Sequence, residues 1–189
     1  MSVIRRMLPT VLIAAGAAIG GFAMGEEVPL PFYAGAGAGM LLPGNGNSLD
    51  RAALLEMRAG KYVDEFVALE LSVCASPNAS SGQGHTDVWG VSAQALWHMA
   101  GWEFFDKLFG CERFDPFLSG GVRMYGATHH VFADDSHRTG VGPTIGTGAF
   151  YHLSDEWSLR FDLNATMSVD TPCGMMYSAV AGLQRDFGR

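Results

Sequence analysis

The sequence predicts an all-β protein, an eight-stranded antiparallel up-and-down transmembrane β-barrel, and three observations point there. Apolar and polar residues alternate with a period of two over long stretches, as they do on a strand with two different faces. The connections between these stretches alternate between tight and long. After residue 25 no apolar run approaches the ~20 residues that a membrane-spanning helix needs. The composition agrees, with glycine at 25 of 189 residues, 48% hydrophobic residues and only 16% charged. No G-X-Y period accompanies the glycine, which excludes collagen. A formal net charge of −7 offers no basic stripe to displace counterions from phosphate, so no nucleic-acid partner is expected.

The chain opens on an export pattern. Arg5 and Arg6 precede an apolar stretch from Met7 to Met24, and Ala23-Met24-Gly25 puts small residues at the −3 and −1 positions of a cleavage site. This predicts a cleaved signal peptide over 1–25 and a barrel domain over 26–189. Cys74, Cys111 and Cys173 are odd in number and widely spaced, which suggests neither a zinc site nor a redox dithiol.

Turn signals divide the remainder into eight segments, 32–42, 53–63, 66–75, 87–99, 115–126, 140–153, 157–168 and 175–187. Each matches or exceeds the ~9–11 residues of a tilted membrane strand. In the first, Phe32, Ala34, Ala36, Ala38 and Met40 oppose Tyr33, Gly35, Gly37 and Gly39. In the third, Val67, Leu69, Leu71 and Val73 oppose Ala68, Glu70, Ser72 and Cys74. The seventh is the clearest: Trp157, Leu159, Phe161, Leu163, Ala165 and Met167 alternate without error with Ser158, Arg160, Asp162, Asn164, Thr166 and Ser168. The eighth sets Met175, Tyr177, Ala179, Ala181, Leu183 and Phe187 on one face, interrupted by Arg185. Tight turns are expected near Asp64-Glu65 and at Ser154-Asp155-Glu156, and long loops over 43–52, 76–86 and 127–139.

Parity alone leaves open which face points inward, since a lipocalin-like soluble barrel would turn the apolar face around a ligand. Two features favour the apolar face outside, against lipid. The polar rows carry both signs of charge in Glu56, Arg58, Glu70, Arg123, Arg160 and Asp162, together with many glycines. Such residues can pair in the narrow, side-chain-filled interior of an eight-stranded barrel. Tyr177 and Phe187 lie near opposite ends of an apolar row, where interfacial aromatic girdles stand.

Four stretches in this order carry a resemblance: Phe32-Tyr33-Ala34-Gly35-Ala36, the run from Lys61 to Leu71, Asp115-Pro116-Phe117-Leu118-Ser119-Gly120-Gly121-Val122, and Thr139-Gly140-Val141-Gly142-Pro143 through Leu163. Together they resemble the transmembrane domain of the outer membrane protein A family and the wider group of small eight-stranded surface barrels. Gly182, five residues before the terminal aromatic Phe187, resembles the family's assembly signal, with Gly188 and Arg189 following and Arg185 where a second aromatic often stands. The resemblance implies an outer-membrane location, contact with lipid and lipopolysaccharide, and assembly through periplasmic chaperones and the barrel insertion machinery. It also implies a salt-bridge network plugging the lumen, with Glu70 and Arg160 at matching positions. Leu96 and Phe150 stand where the family has further lysine and glutamate partners, which points to a plain plug and not to a gate.

Other chemistry is thinner. His129, His130 and His137 share one expected surface loop with Asp134, Asp135 and Ser136. Such residue types can ligate zinc or copper, yet surface loops also collect them without forming a site, and no metal or cofactor is expected. His152 with Ser154 is the nearest approach to the His and Ser of a lipid A deacylase, but at a turn in the wrong leaflet. Cys74 and Cys173 are both expected near the outer rim, where a disulfide would require the 170–174 loop to fold across the mouth. Trp102, Phe104, Phe105, Leu108 and Phe109 flank Asp106 and Lys107 as a short amphipathic piece for the lower rim. No nucleophile, base and oxyanion donor converge. The favoured function is therefore non-enzymatic: a structural or surface-interaction barrel whose outer loops meet a ligand. The alternatives are a lipid A-modifying enzyme or a narrow pore.

Overall fold

In the computed structural model the chain closes into one antiparallel barrel. The structure describes residues 31–44, 51–81, 84–99, 113–131, 134–167 and 174–188. The expected signal peptide, the 100–112 part of the amphipathic connection, Cys111 and Cys173 lie outside these residues. The strands are β1 (Phe32–Pro43), β2 (Ala52–Tyr62), β3 (Val67–Ser81), β4 (Gly84–His98), β5 (Phe114–Val131), β6 (Asp134–His152), β7 (Trp157–Met167) and β8 (Met175–Phe187). Each pairs with its sequence neighbours, and β8 returns to pair with β1, so no edge is left unpaired.

The apolar rows face outward. Leu55, Leu69, Leu118, Val122, Ile145, Phe161 and Leu163 are exposed on the outer wall, while the polar residues between them are buried inside. This is the reverse of a soluble barrel and the arrangement that lipid demands. Near the rim with the tight turns, the outward face carries Phe32, Phe66, Trp97, Tyr151 and Trp157, with Phe187 stacked on Phe32 at 4.8 Å across the β1–β8 seam. Arg185, the break in the last apolar row, sits at that level between the rings of Trp157 and Phe187. It also donates to Glu156 at 2.8 Å. A cation in the aromatic band is thus paired and stacked instead of being buried in hydrocarbon.

The two tight turns have one construction. Asp64 Oδ1 accepts from Phe66 N and Val67 N at 2.8 and 2.7 Å. Ser154 Oγ accepts from Trp157 N at 3.2 Å. In each case a short polar side chain satisfies backbone donors that the ladder leaves open.

The opposite rim departs from expectation. The loops expected over 76–86 and 127–139 are continuations of the ladder: β3 and β4 pair up to Ser81 and Gly84, and β5 and β6 up to Val131 and Asp134. A bulge interrupts the first of these hairpins between Ser76 and Ala79. Beyond the lipid band nothing requires one face to be apolar. The period-two signal therefore fades at residues where hydrogen-bonded pairing persists.

Candidate functional site

The residues that carry chemistry converge in the lumen. Parity sends every second residue inward, and the closed ring brings strands distant in sequence face to face. Glu56 and Arg58 come from β2, Glu70 from β3, Arg123 from β5, and Arg160 and Asp162 from β7; all six are buried.

They form one continuous chain of alternating charge. Arg160 holds Glu70 with two guanidinium nitrogens, Nη1 on Oε2 and Nη2 on Oε1, the second at 3.1 Å. Its Nε and Nη2 also donate to Asp162 Oδ1, at 3.0 and 2.8 Å. Arg58 Nη1 reaches Asp162 Oδ2 at 2.5 Å. Arg58 Nη2 lies 2.9 Å from Glu56 Oε1, a charge contact without hydrogen-bond alignment. Arg123 Nη2 ends the chain, 3.5 Å from Glu56 Oε2. Three guanidinium groups thus meet three carboxylates, and the assembly is neutral as a whole. Neutrality matters because an unpaired ion in this environment costs several kcal/mol.

Several partners escaped the sequence reading. Tyr33 donates to Glu70 Oε2 at 2.9 Å, and Gln184 accepts from Arg160 at 3.3 Å. Phe117 and Phe150 lie under the Arg160 guanidinium, 4.8 and 5.0 Å from its centre. Leu96 packs with them, so the two places expected to lack charged partners hold apolar contacts instead. Ser72 and Ser92 hydrogen-bond across the β3–β4 ladder at 2.8 Å.

Apolar clusters flank the charges on both sides, among other buried polar residues. On the tight-turn side Tyr33, Tyr62, Ala68, Leu96, Phe117 and Phe150 form one cluster. On the other side Leu41, Ala52, Val88, Tyr125 and Met176 form a second, enclosing a cavity of about 10 Å³ beside Arg123, about enough for one water. Cys74 borders this cavity as a free thiol, in register with Glu56, and is thus well inside the barrel and not at the rim as expected. The strand runs on for seven residues beyond it, to Ser81.

Glycine makes the aromatic layer possible. Gly60 lies beside Tyr33 and Gly148 beside Phe117, and in each case an added Cβ would fall within 2.5 Å of the ring. At the seam Gly182 faces Gly37, with Arg160 on its other side, and a Cβ there would meet the backbone of Ala36 and Gly37. Gly182, expected as part of an assembly signal, thus occupies a position that admits no side chain, and Phe187 takes part in the rim stack.

Histidine in the barrel is engaged structurally. His98 Nδ1 is 2.6 Å from Asp115 Oδ2 and its ring stacks on Phe150, while its Nε2 has no hydrogen-bond partner among the described residues. His152 Nδ1 lies 2.9 Å from Ser158 Oγ. Among the described residues no group of three or more His, Cys, Asp or Glu is arranged to hold a metal ion.

No protein-family model matches the sequence, and no curated protein matches it either. The structure, by contrast, has clear counterparts. It is similar to the N-terminal β-barrel domain of Pseudomonas aeruginosa OprF, with a TM-score of 0.62 and 16% identity over 84% of this chain and 98% of that one. Neisserial surface protein A gives a TM-score of 0.64 at 14% identity, over 84% of this chain and 97% of the other. Ail, the attachment invasion locus protein of Yersinia pestis, gives 0.59 at 11% identity, over 84% and 99%. The fold is therefore that of the small eight-stranded outer membrane β-barrels, and the resemblance drawn from sequence holds at the level of fold.

Proposed function

We propose that the chain is a surface protein of the outer membrane: a barrel fixed by lipid, sealed inside, whose long hairpins contact envelope components or an external ligand. The observation that carries this reading is the contrast between a closed lumen and hairpins that outrun the membrane. β5 and β6 have 18 and 19 residues, against the ~9–11 that crossing requires. Material beyond the lipid band has no anchoring task, and the charge network and aromatic cluster fill the interior among the described residues. The chain then acts as a scaffold, not as an enzyme, with the Glu56, Arg58, Glu70, Arg123, Arg160 and Asp162 network as its plug.

Export by the 1–25 signal, delivery by periplasmic chaperones, and insertion aided by Gly182 and Phe187 complete this reading. They place the tight turns in the periplasm and the hairpins outside, next to lipopolysaccharide. The likeness to Ail, which has been crystallised in complex with the heparin analogue sucrose octasulfate, supports a ligand-contacting role. Fractionation tests the reading: the protein should remain in the outer membrane through salt and alkaline washes and migrate differently on a gel before and after boiling. Release into the soluble fraction at high pH would overturn it.

A further inference from the structure

The cavity beside Arg123 joins strands from opposite walls of the barrel, and its lining is mixed. Leu41, Val88 and Met176 supply apolar walls, while Arg123 of β5, Thr166 of β7 and Ser178 of β8 supply polar ones. These three polar residues stand on inner rows and are no more than 4% exposed. Arg123 is the loosest member of the charge chain: its Nη2 is 3.5 Å from Glu56, where Arg58 approaches the same carboxylate to 2.9 Å. Its Nε and the Ser178 Oγ have no hydrogen-bond partner among the described residues. Thr166 Oγ1 donates its proton to Thr144 Oγ1 at 3.0 Å, which leaves its lone pairs open to a donor. One buried donor, one open acceptor and one hydroxyl able to do either thus border a single space.

We propose that this cavity is a binding site for one water molecule, which accepts from Arg123 Nε and donates to Thr166 Oγ1 and Ser178 Oγ. Size and chemistry both select water. The volume of about 10 Å³ reaches the lower end of the ~10–15 Å³ that a water needs, and three polar partners are the usual complement of a buried one. Cavities stay dry when their walls are wholly apolar. Here dryness would leave a guanidinium N–H and a hydroxyl buried at their full desolvation cost. An anion such as chloride would suit the donors, but three carboxylates already match the three guanidinium groups. An added negative charge would therefore be buried without compensation. The water extends the charge chain past its last member, tying β5 to β7 and β8 across the lumen and steadying the guanidinium that Glu56 holds at a distance.

The test uses the full chain with isotope-labelled arginine, folded in deuterated detergent micelles and studied by nuclear magnetic resonance. The Arg123 Nε–H resonance, identified by its loss in Arg123→Lys, should show a cross-relaxation contact to water. Opposite signs in the laboratory and rotating frames distinguish a long-lived bound water from proton exchange. Val88→Ile lengthens one apolar wall by a methyl group and leaves Arg123, Thr166 and Ser178 in place. It should abolish the contact and lower the urea midpoint, because carbon in a wet cavity strips polar groups of their partner, whereas carbon in a dry one does not. Unchanged heat-modifiability on a gel shows that the variant barrel still folds, and the parent measurement decides the matter alone if it does not. Absence of the water contact in the parent, its survival in Val88→Ile, or a raised midpoint there would overturn the proposal. So would a shift of the Arg123 resonance when chloride replaces acetate, which would assign the cavity to an anion.

Discussion

β7 presents two surfaces that obey opposite rules. Its outer row, Trp157, Leu159, Phe161, Leu163, Ala165 and Met167, meets lipid; its inner row, Ser158, Arg160, Asp162, Asn164 and Thr166, meets only other side chains. The outer row requires apolarity and little else, because acyl chains adapt to any shape. The inner row requires particular partners, because Arg160 reaches Glu70 on a strand four positions round the ring and Asp162 reaches Arg58. One wall is therefore selected by solvent and the other by pairing. A substitution should be judged first by the face on which it falls.

The largest effect should come from breaking the pairing. Arg160→Met leaves Glu70 with no cation and should lower unfolding stability by ~3–5 kcal/mol, as measured by urea denaturation in detergent. Glu70→Gln should cost less, since an amide still accepts from Tyr33 and Arg160. The double variant should lose less than the sum of the two. Strictly additive losses would show that the two charges do not depend on each other.

Next in size is a charge on the outer wall. Leu163 is 59% exposed to the lipid side, and Leu163→Arg should impair insertion into vesicles by ~2–4 kcal/mol, the range for a cation near the bilayer midplane. Asn164→Arg, one residue on and inside the barrel, should be milder. Equal defects would erase the distinction between the faces.

The strands and their inward charges were legible because period-two alternation is a local property, set by lipid on one side. Arg160, Asp162 and Glu70 could be assigned to the lumen from parity alone. Their companions could not. Tyr33, Tyr62, Gln184, His98 and Asp115 sit on inner rows, yet their partners depend on register across the ring, and no single segment contains that information. The hairpin extensions were missed for a different reason. Past the lipid band the ladder is held by backbone hydrogen bonds, so Ala79–Ser81 and Ala127–Val131 pair without an apolar signature. Arg185 shows the same limit, since its acceptability rests on Glu156 and two aromatic rings that only the closed barrel brings together.

The smallest effects should separate glycines by face. Gly148→Ala would put a methyl group 2.1 Å from the Phe161 carbonyl oxygen and 2.5 Å from the Phe117 ring, and overpacking of that kind costs ~1–3 kcal/mol. Gly120, on the outer wall, has no atom within 4 Å of an added Cβ, and Gly120→Ala should stay within about 0.5 kcal/mol of the parent. Chemical denaturation of the pair measures crowding on each side directly.

The stack of Phe32 on Phe187 has a consequence for alignment fidelity. Along the seam the inner face of β1 offers Gly35, Gly37 and Gly39, which have no side chains with which to recognise β8. Featureless strands define their partner's position weakly. A slip of two residues would keep every face correct and be invisible to the inside–outside pattern. What such a slip cannot keep is the ring-on-ring contact at the tight-turn rim. The information that aligns the first strand with the last is thus concentrated at one rim, where the polypeptide both enters and leaves the barrel.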